Sequence, residues 1–132
     1  KAWSVGIDVI TINDGGNLMD AAALAALAAL KATKFPKVKK DGSIDYKEKT
    51  KDSLPLVKEP ISVTAHLIGD QILVDPSVEE EQSSDARITA AALDDKTICA
   101  LQKGGERALS EEEIDQMLTL SLKKAAELRK RL

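Results

Sequence analysis

Apolar residues recur along the chain with two different periods. From Trp3 to Ile12 they alternate, with Trp3, Val5, Ile7 and Val9 on one side and Ser4, Gly6, Asp8 and Ile10 on the other. A period of two with β-branched residues predicts a strand. "NDGGN" at 13–17 predicts a turn, because Asn, Asp and Gly accept positive φ. From Leu18 to Thr33 the pattern becomes helical: Leu18, Ala22, Leu24, Ala25, Leu27, Ala28 and Leu30 cover most of the surface of an Ala-rich segment. A helix apolar nearly all round predicts burial between layers. Pro36 ends the element.

Residues 37–59 are charged and broken by Asp41-Gly42 and Pro55, which predicts a connection, with a short hairpin at Asp41-Gly42. Its lysines (Lys37, Lys39, Lys40, Lys47, Lys49 and Lys51) allow two readings, an RNA-binding patch or a solvated loop of mixed charge. Beyond it the chain is regular. "ISVTAHLI" at 61–68 alternates as a strand, Gly69-Asp70 suits a tight hairpin, and "QILVD" at 71–75 returns. "ARITAAAL" at 86–93, a turn at 94–96 and "TICALQK" at 97–103 make a second strand pair. Ser110 followed by Glu113 is a capping box, and Glu111 to Glu113 suit the positive end of a helix dipole. Ile114, Met117, Leu118, Leu122, Ala125, Leu128 and Leu132 then make one apolar stripe. Strand, helix, connection, four strands and an amphipathic helix predict an α/β (α+β) sandwich, a mixed sheet packed against helices.

Composition narrows the functions available. The chain has 132 residues, 43% apolar but only 2% aromatic, so its core rests on Ala, Leu, Ile and Val. A net charge of −3 with 31% charged residues argues against a free-standing nucleic-acid binder, though not against one basic face. The single cysteine, Cys99, cannot form an internal disulfide and points to a reducing, intracellular setting; within "TICAL" it reads as a small core residue. No apolar run reaches the roughly 18 residues of a membrane span, and no signal peptide is visible. Strand-like sequence directly after Lys1 suggests a piece of a longer protein.

Candidate chemistry is sparse. Asp75, Glu79, Glu80, Glu81 and Asp85 are dense enough for a hard cation or a two-metal phosphoryl-transfer site, yet a loop between strands is where solvated acids ordinarily sit. His66, the sole histidine, shares a strand face with Ser62 and Thr64, which allows a Ser-His pairing; no third group is evident, and a half-exposed strand histidine is the plainer reading. "QKGGE" lacks the P-loop pattern.

"DGGNLMDAA", then "VDPSVEEE" with "DARITAA", then "ALQKGG", in that order, resemble the C-terminal half of RNase-PH-like proteins. The likeness is greatest to the non-catalytic RNase-PH-type subunits of the archaeal exosome, and it is weakest in 37–59. It implies two RNase-PH-type βαβ halves in the whole protein. Residues 1–36 would end the first domain, 37–59 would link, and 60–132 would form the second. It implies a cytoplasmic heterohexameric ring with a catalytic RNase-PH-like partner, RNA-binding cap subunits, and RNA trimmed from its 3′ end by phosphorolysis. In active members this segment carries two aspartates six positions apart. Here the first is matched by Asp75, but the second falls at Glu81. One extra methylene displaces a carboxylate by more than the roughly 0.5 Å that catalytic geometry tolerates. The resemblance thus makes Asp75 and Glu81 degenerate counterparts of a site, with no catalytic residue, cofactor or metal in this chain, and with phosphate and possibly magnesium at the partner's active site. Two alternatives stand beside it: an active metal-dependent 3′-5′ exoribonuclease using Asp75 and Glu81, and a stand-alone structural or interaction domain that shares the sandwich.

Overall fold

The computed structural model describes residues 2–132; Lys1, the first residue of the expected opening segment, lies outside the described residues. The elements run α1 (Leu18–Ala32), β1 (Lys34–Val38), β2 (Ile44–Ser53), β3 (Ile61–Ile68), β4 (Gln71–Val74), α2 (Val78–Gln82), β5 (Ala86–Ala92), β6 (Ile98–Gly104) and α3 (Glu111–Arg129). The β1–β2 hairpin stands as a two-stranded sheet, and the other strands form a four-stranded sheet in the order β4-β3-β5-β6.

The sandwich of sheet and helices is as expected, but every ladder among the described residues is antiparallel, not mixed. The connections explain this. A two-residue turn at Gly69-Asp70 joins β3 to β4, and a short turn joins β5 to β6; parallel pairing needs a crossover of a dozen or more residues. Gly69 supplies the positive φ, at 57°.

One face of the sheet is the core. Ile61, Val63, Ala65 and Leu67 of β3 stand opposite Ala92, Ala90, Ile88 and Ala86 of β5, and all eight are buried. Met117 and Ala125 of α3 pack onto them, and Leu27 of α1 joins the Ile61 end. Ser110 and Glu113 make the expected capping box at the start of α3. At its other end Arg129 donates to the carbonyl oxygens of Glu59 and Ala92, both at 2.9 Å, which pins α3 across the ends of β3 and β5.

Four expectations need correction. Residues 3–12 join no ladder among the described residues, and Trp3, Val5, Ile7, Val9, Ile10 and Ile12 are exposed. Alternation supplies one apolar face, but a strand also needs a hydrogen-bonding neighbour, and none lies beside this segment among the described residues. Of α1 only Leu27 is buried, because the helix runs along the sheet with one side covered. The connection at 37–59 holds most of a hairpin whose second strand has ten residues. Cys99 is exposed: β6 is the edge strand, and Cys99 falls at its register shift opposite Ala91 and Ala92.

Candidate functional site

The sheet's second face carries polar groups. On β3 the residues alternating with the core are Ser62, Thr64 and His66, and the latter two are buried. They are buried because the first turn of α1 sits over them. β4 pairs only with Ala65 to Ile68, which leaves the first half of β3 as an open edge. Asp20 fills it: its carboxylate accepts the Thr64 backbone N–H and the Thr64 and Ser62 hydroxyls, the last two at 3.1 Å. The Thr64 hydroxyl also meets that of Thr89 on β5 at 2.9 Å.

Asn17 is the junction of this network. As the N-cap of α1 its side-chain oxygen accepts the Asp20 N–H at 3.0 Å. Its backbone N–H donates to Asp75 Oδ1 at 2.9 Å, and its amide nitrogen lies 3.4 Å from His66 Nε2. On the far side of the ring, His66 Nδ1 lies 3.1 Å from the Ser84 hydroxyl, which itself donates to the Ala86 carbonyl at 3.1 Å. A hydroxyl has one proton to give. With that proton on Ala86, Nδ1–H must donate to Ser84, and bare Nε2 accepts from Asn17. His66 is therefore neutral, in agreement with its lowered pKa. Burial is the main cause; Glu81 opposes it, Arg87 adds to it, and Asp20 opposes it.

His66 is thus fully buried, not half-exposed as expected, and it pairs with Ser84 rather than Ser62. This is no nucleophile–base couple. The ring nitrogen facing Ser84 already bears a proton, so it cannot take another.

Asp75 occupies an unusual backbone position, with φ at 55° immediately before Pro76. Left-handed backbone costs a non-glycine residue roughly 1–2 kcal/mol, least for Asn and Asp. Here it turns the carboxylate back onto Asn17, against Gly16, where a Cβ would come within 2.3 Å of Oδ1. Glu81 lies on α2, exposed. That short helix stands where an open loop was expected. Its signal was present in Ser77-Val78-Glu79-Glu80, the same capping box as at Ser110, and the structure forms both of its bonds.

Three of the five acids accept backbone amides: Asn17 N–H on Asp75, Ser77 N–H on Glu80, Gly69 N–H on Asp85. Arg107 pairs with Glu113 at 2.6 Å and donates to the Gly69 carbonyl, while Lys103 donates to the Gly105 carbonyl. Among the described residues no three His, Cys, Asp or Glu side chains converge as ligands for a cation. Nor is any helix among them long and apolar enough to cross a membrane.

A groove of about 490 Å³ opens beside the network, between the start of α1 and the end of α3. Asp20 and Asp75 line one side, Lys124, Glu127 and Arg131 the other.

This arrangement of antiparallel sheet, capping helix and acidic turn has a known counterpart. Residues 58–124 match the 3′ exoribonuclease family, domain 2, and the chain belongs to that family. It is 42% identical over 132 residues to the exosome complex component Rrp42 of Methanocella arvoryzae, covering 100% of this chain and 48% of the relative. To the Rrp42 of Archaeoglobus fulgidus it is 40% identical over 131 residues, covering 99% and 48%. The chain spans about half the length of the curated relatives it matches. Among solved structures, the Archaeoglobus fulgidus exosome with RNA bound to the active site superposes with a TM-score of 0.75 at 40% identity, over 91% of this chain and 45% of that one. An archaeal exosome core does so with the same score and identity, over 91% and 46%.

Proposed function

We propose that this protein is a non-catalytic RNase-PH-type subunit of an archaeal exosome ring. It would work in the cytoplasm, supporting 3′-to-5′ phosphorolysis of RNA by a catalytic partner subunit beneath RNA-binding caps. Residues 1–36 close a first RNase-PH-like domain, 37–59 connect, and 60–132 form the second. Phosphate, and magnesium where the reaction uses it, belong to the partner's active site. The observation that carries this reading is the similarity, along nearly the whole chain, to relatives named as exosome components. The local geometry supports the non-catalytic part. Asp75, which would be the first acid of a pair, is bonded to the Asn17 amide, and the second position holds Glu81, exposed on α2.

In this reading the acidic turn anchors α1 to β4 and transfers no proton. The test is reconstitution of the full-length protein with a catalytic RNase-PH-like partner, which should yield one hexamer-sized species. Asp75→Asn and Glu81→Gln should leave the ring's phosphorolysis rate within about tenfold, a barrier change of about 1.4 kcal/mol or less. Loss of phosphorolysis in a ring intact by mass would make these acids catalytic. Release of nucleoside diphosphates by the full-length protein alone would overturn the non-catalytic assignment.

A further inference from the structure

We propose that the β1–β2 hairpin is a contact surface for single-stranded RNA, with Lys47, Lys49 and Lys51 meeting phosphates and Tyr46 stacking on a base. The proposal rests on the ring-subunit reading for the presence of RNA and adds to it a place where this chain would hold the strand.

The chain carries a net charge of −3, yet residues 34–53 hold seven lysines (34, 37, 39, 40, 47, 49 and 51) against four acids (41, 45, 48 and 52). Two of the acids pair with lysines of the hairpin. Glu48 pairs with Lys37 at 2.6 Å, Asp45 with Lys39 at 3.8 Å, and Asp41 accepts from Ser43. Among the described residues, Lys40, Lys47, Lys49 and Lys51 have no carboxylate within 4.0 Å, and all four are exposed. Unneutralised lysines on one hairpin of an acidic chain are the electrostatic footprint of a polyanion partner.

The register places them. Pro36 is opposite Lys49, and the next residue, Lys37, is opposite Asp45, so Tyr46, Lys47 and Glu48 have no residue across from them. The extra residues make a bulge in β2 at this point, although Glu48 still reaches back to Lys37. Tyr46 sits on this bulge and is 78% exposed. It is one of three aromatic residues in the chain, and the other two, Trp3 and Phe35, lie against each other at 5.5 Å between ring centroids. An acidic protein surface would use the lysines but has no need of the ring. Cations beside an exposed aromatic fit a strand of nucleotides, in which charged backbone and flat bases alternate.

The experiment reconstitutes the full-length protein with its catalytic partner and measures binding of a fluorescent oligouridine by anisotropy across a salt series. The variants are Lys47→Ala/Lys49→Ala/Lys51→Ala, Tyr46→Ala and Tyr46→Phe, with circular dichroism to check folding. The triple variant should bind about tenfold or more weakly near 0.1 M salt, with its log–log salt slope shallower by about 2, as three phosphate contacts on a single strand require. Tyr46→Ala should lose about fivefold or more, and Tyr46→Phe should retain binding, since it keeps the stacking face. Unchanged affinity and slope in the triple variant would overturn the proposal while leaving an assembled, active ring unaffected. Equal losses for polyglutamate and oligouridine, with Tyr46→Ala silent, would assign the hairpin to an acidic protein and overturn it too. If no ring forms at all, the ring reading fails, and the same titrations on the full-length protein alone still decide the hairpin.

Discussion

Gly16→Ala should destabilise the protein through a single contact. A Cβ there would lie 2.3 Å from Asp75 Oδ1 and 3.1 Å from its Cγ. The carboxylate can escape by rotating, but it then leaves the Asn17 N–H it accepts at 2.9 Å. Hydrogen bonds to charged groups contribute about 1.5–3 kcal/mol, and Asp75 is exposed, so the low end applies. Against this, alanine reduces the freedom of the unfolded chain by about 0.4–1 kcal/mol. The net loss is about 1 kcal/mol, and for 132 residues it lowers the melting temperature by about 4 °C. Gly15 is the internal control. A Cβ there meets nothing within 4 Å, so Gly15→Ala should be neutral or slightly stabilising. Urea titration of both variants, alone and with Asp75→Ala, completes a double-mutant cycle. In the Asp75→Ala background the Gly16→Ala penalty should vanish. An equal penalty in both backgrounds, or equal effects at Gly15 and Gly16, would refute the account.

Ser121→Ala should stabilise by about 1 kcal/mol, because the Ser121 hydroxyl lies on the buried face of α3 with no hydrogen-bond partner among the described residues; a drop in the urea midpoint would show that the hydroxyl is satisfied. Stability should fall as the pH is lowered from about 7.5 to 5.5. Buried His66 resists protonation, whereas an unfolded histidine takes a proton near pH 6.5, so the unfolded chain gains protons first. Urea midpoints for wild type and His66→Gln across that window check this: the variant should be weaker at pH 7.5 yet show a flatter pH profile. Ser77→Ala should cost about 1 kcal/mol by removing the α2 cap, and restoration by Ser77→Asp would tie the loss to capping.

The parts of the fold that local chemistry decides were legible in the residues. Ala-rich α1, the Gly69-Asp70 hairpin and the Ser110 capping box depend on neighbours in sequence, and the structure places each where the pattern predicts. What lay hidden depends on long-range company. His66 reads as half-exposed because strand alternation says nothing about a helix start arriving from 49 positions away to cover it. Cys99 reads as core because an apolar stretch on an edge strand resembles one in the middle of a sheet. The acids of 75–85 raised the question of a metal; backbone amides hold Asp75, Glu80 and Asp85, and such partners leave no mark in composition.

Asp20 stands in for a missing stretch of β4, and that substitution gives one amide a distinct clock. The Thr64 N–H is protected from solvent by a side chain from a helix 44 residues earlier, not by a strand. Its exchange with deuterium therefore requires only that the first turn of α1 lift, while the amides of β3 bonded to β5 need the sheet itself to open. The rate at that single site is a direct gauge of how firmly α1 is seated.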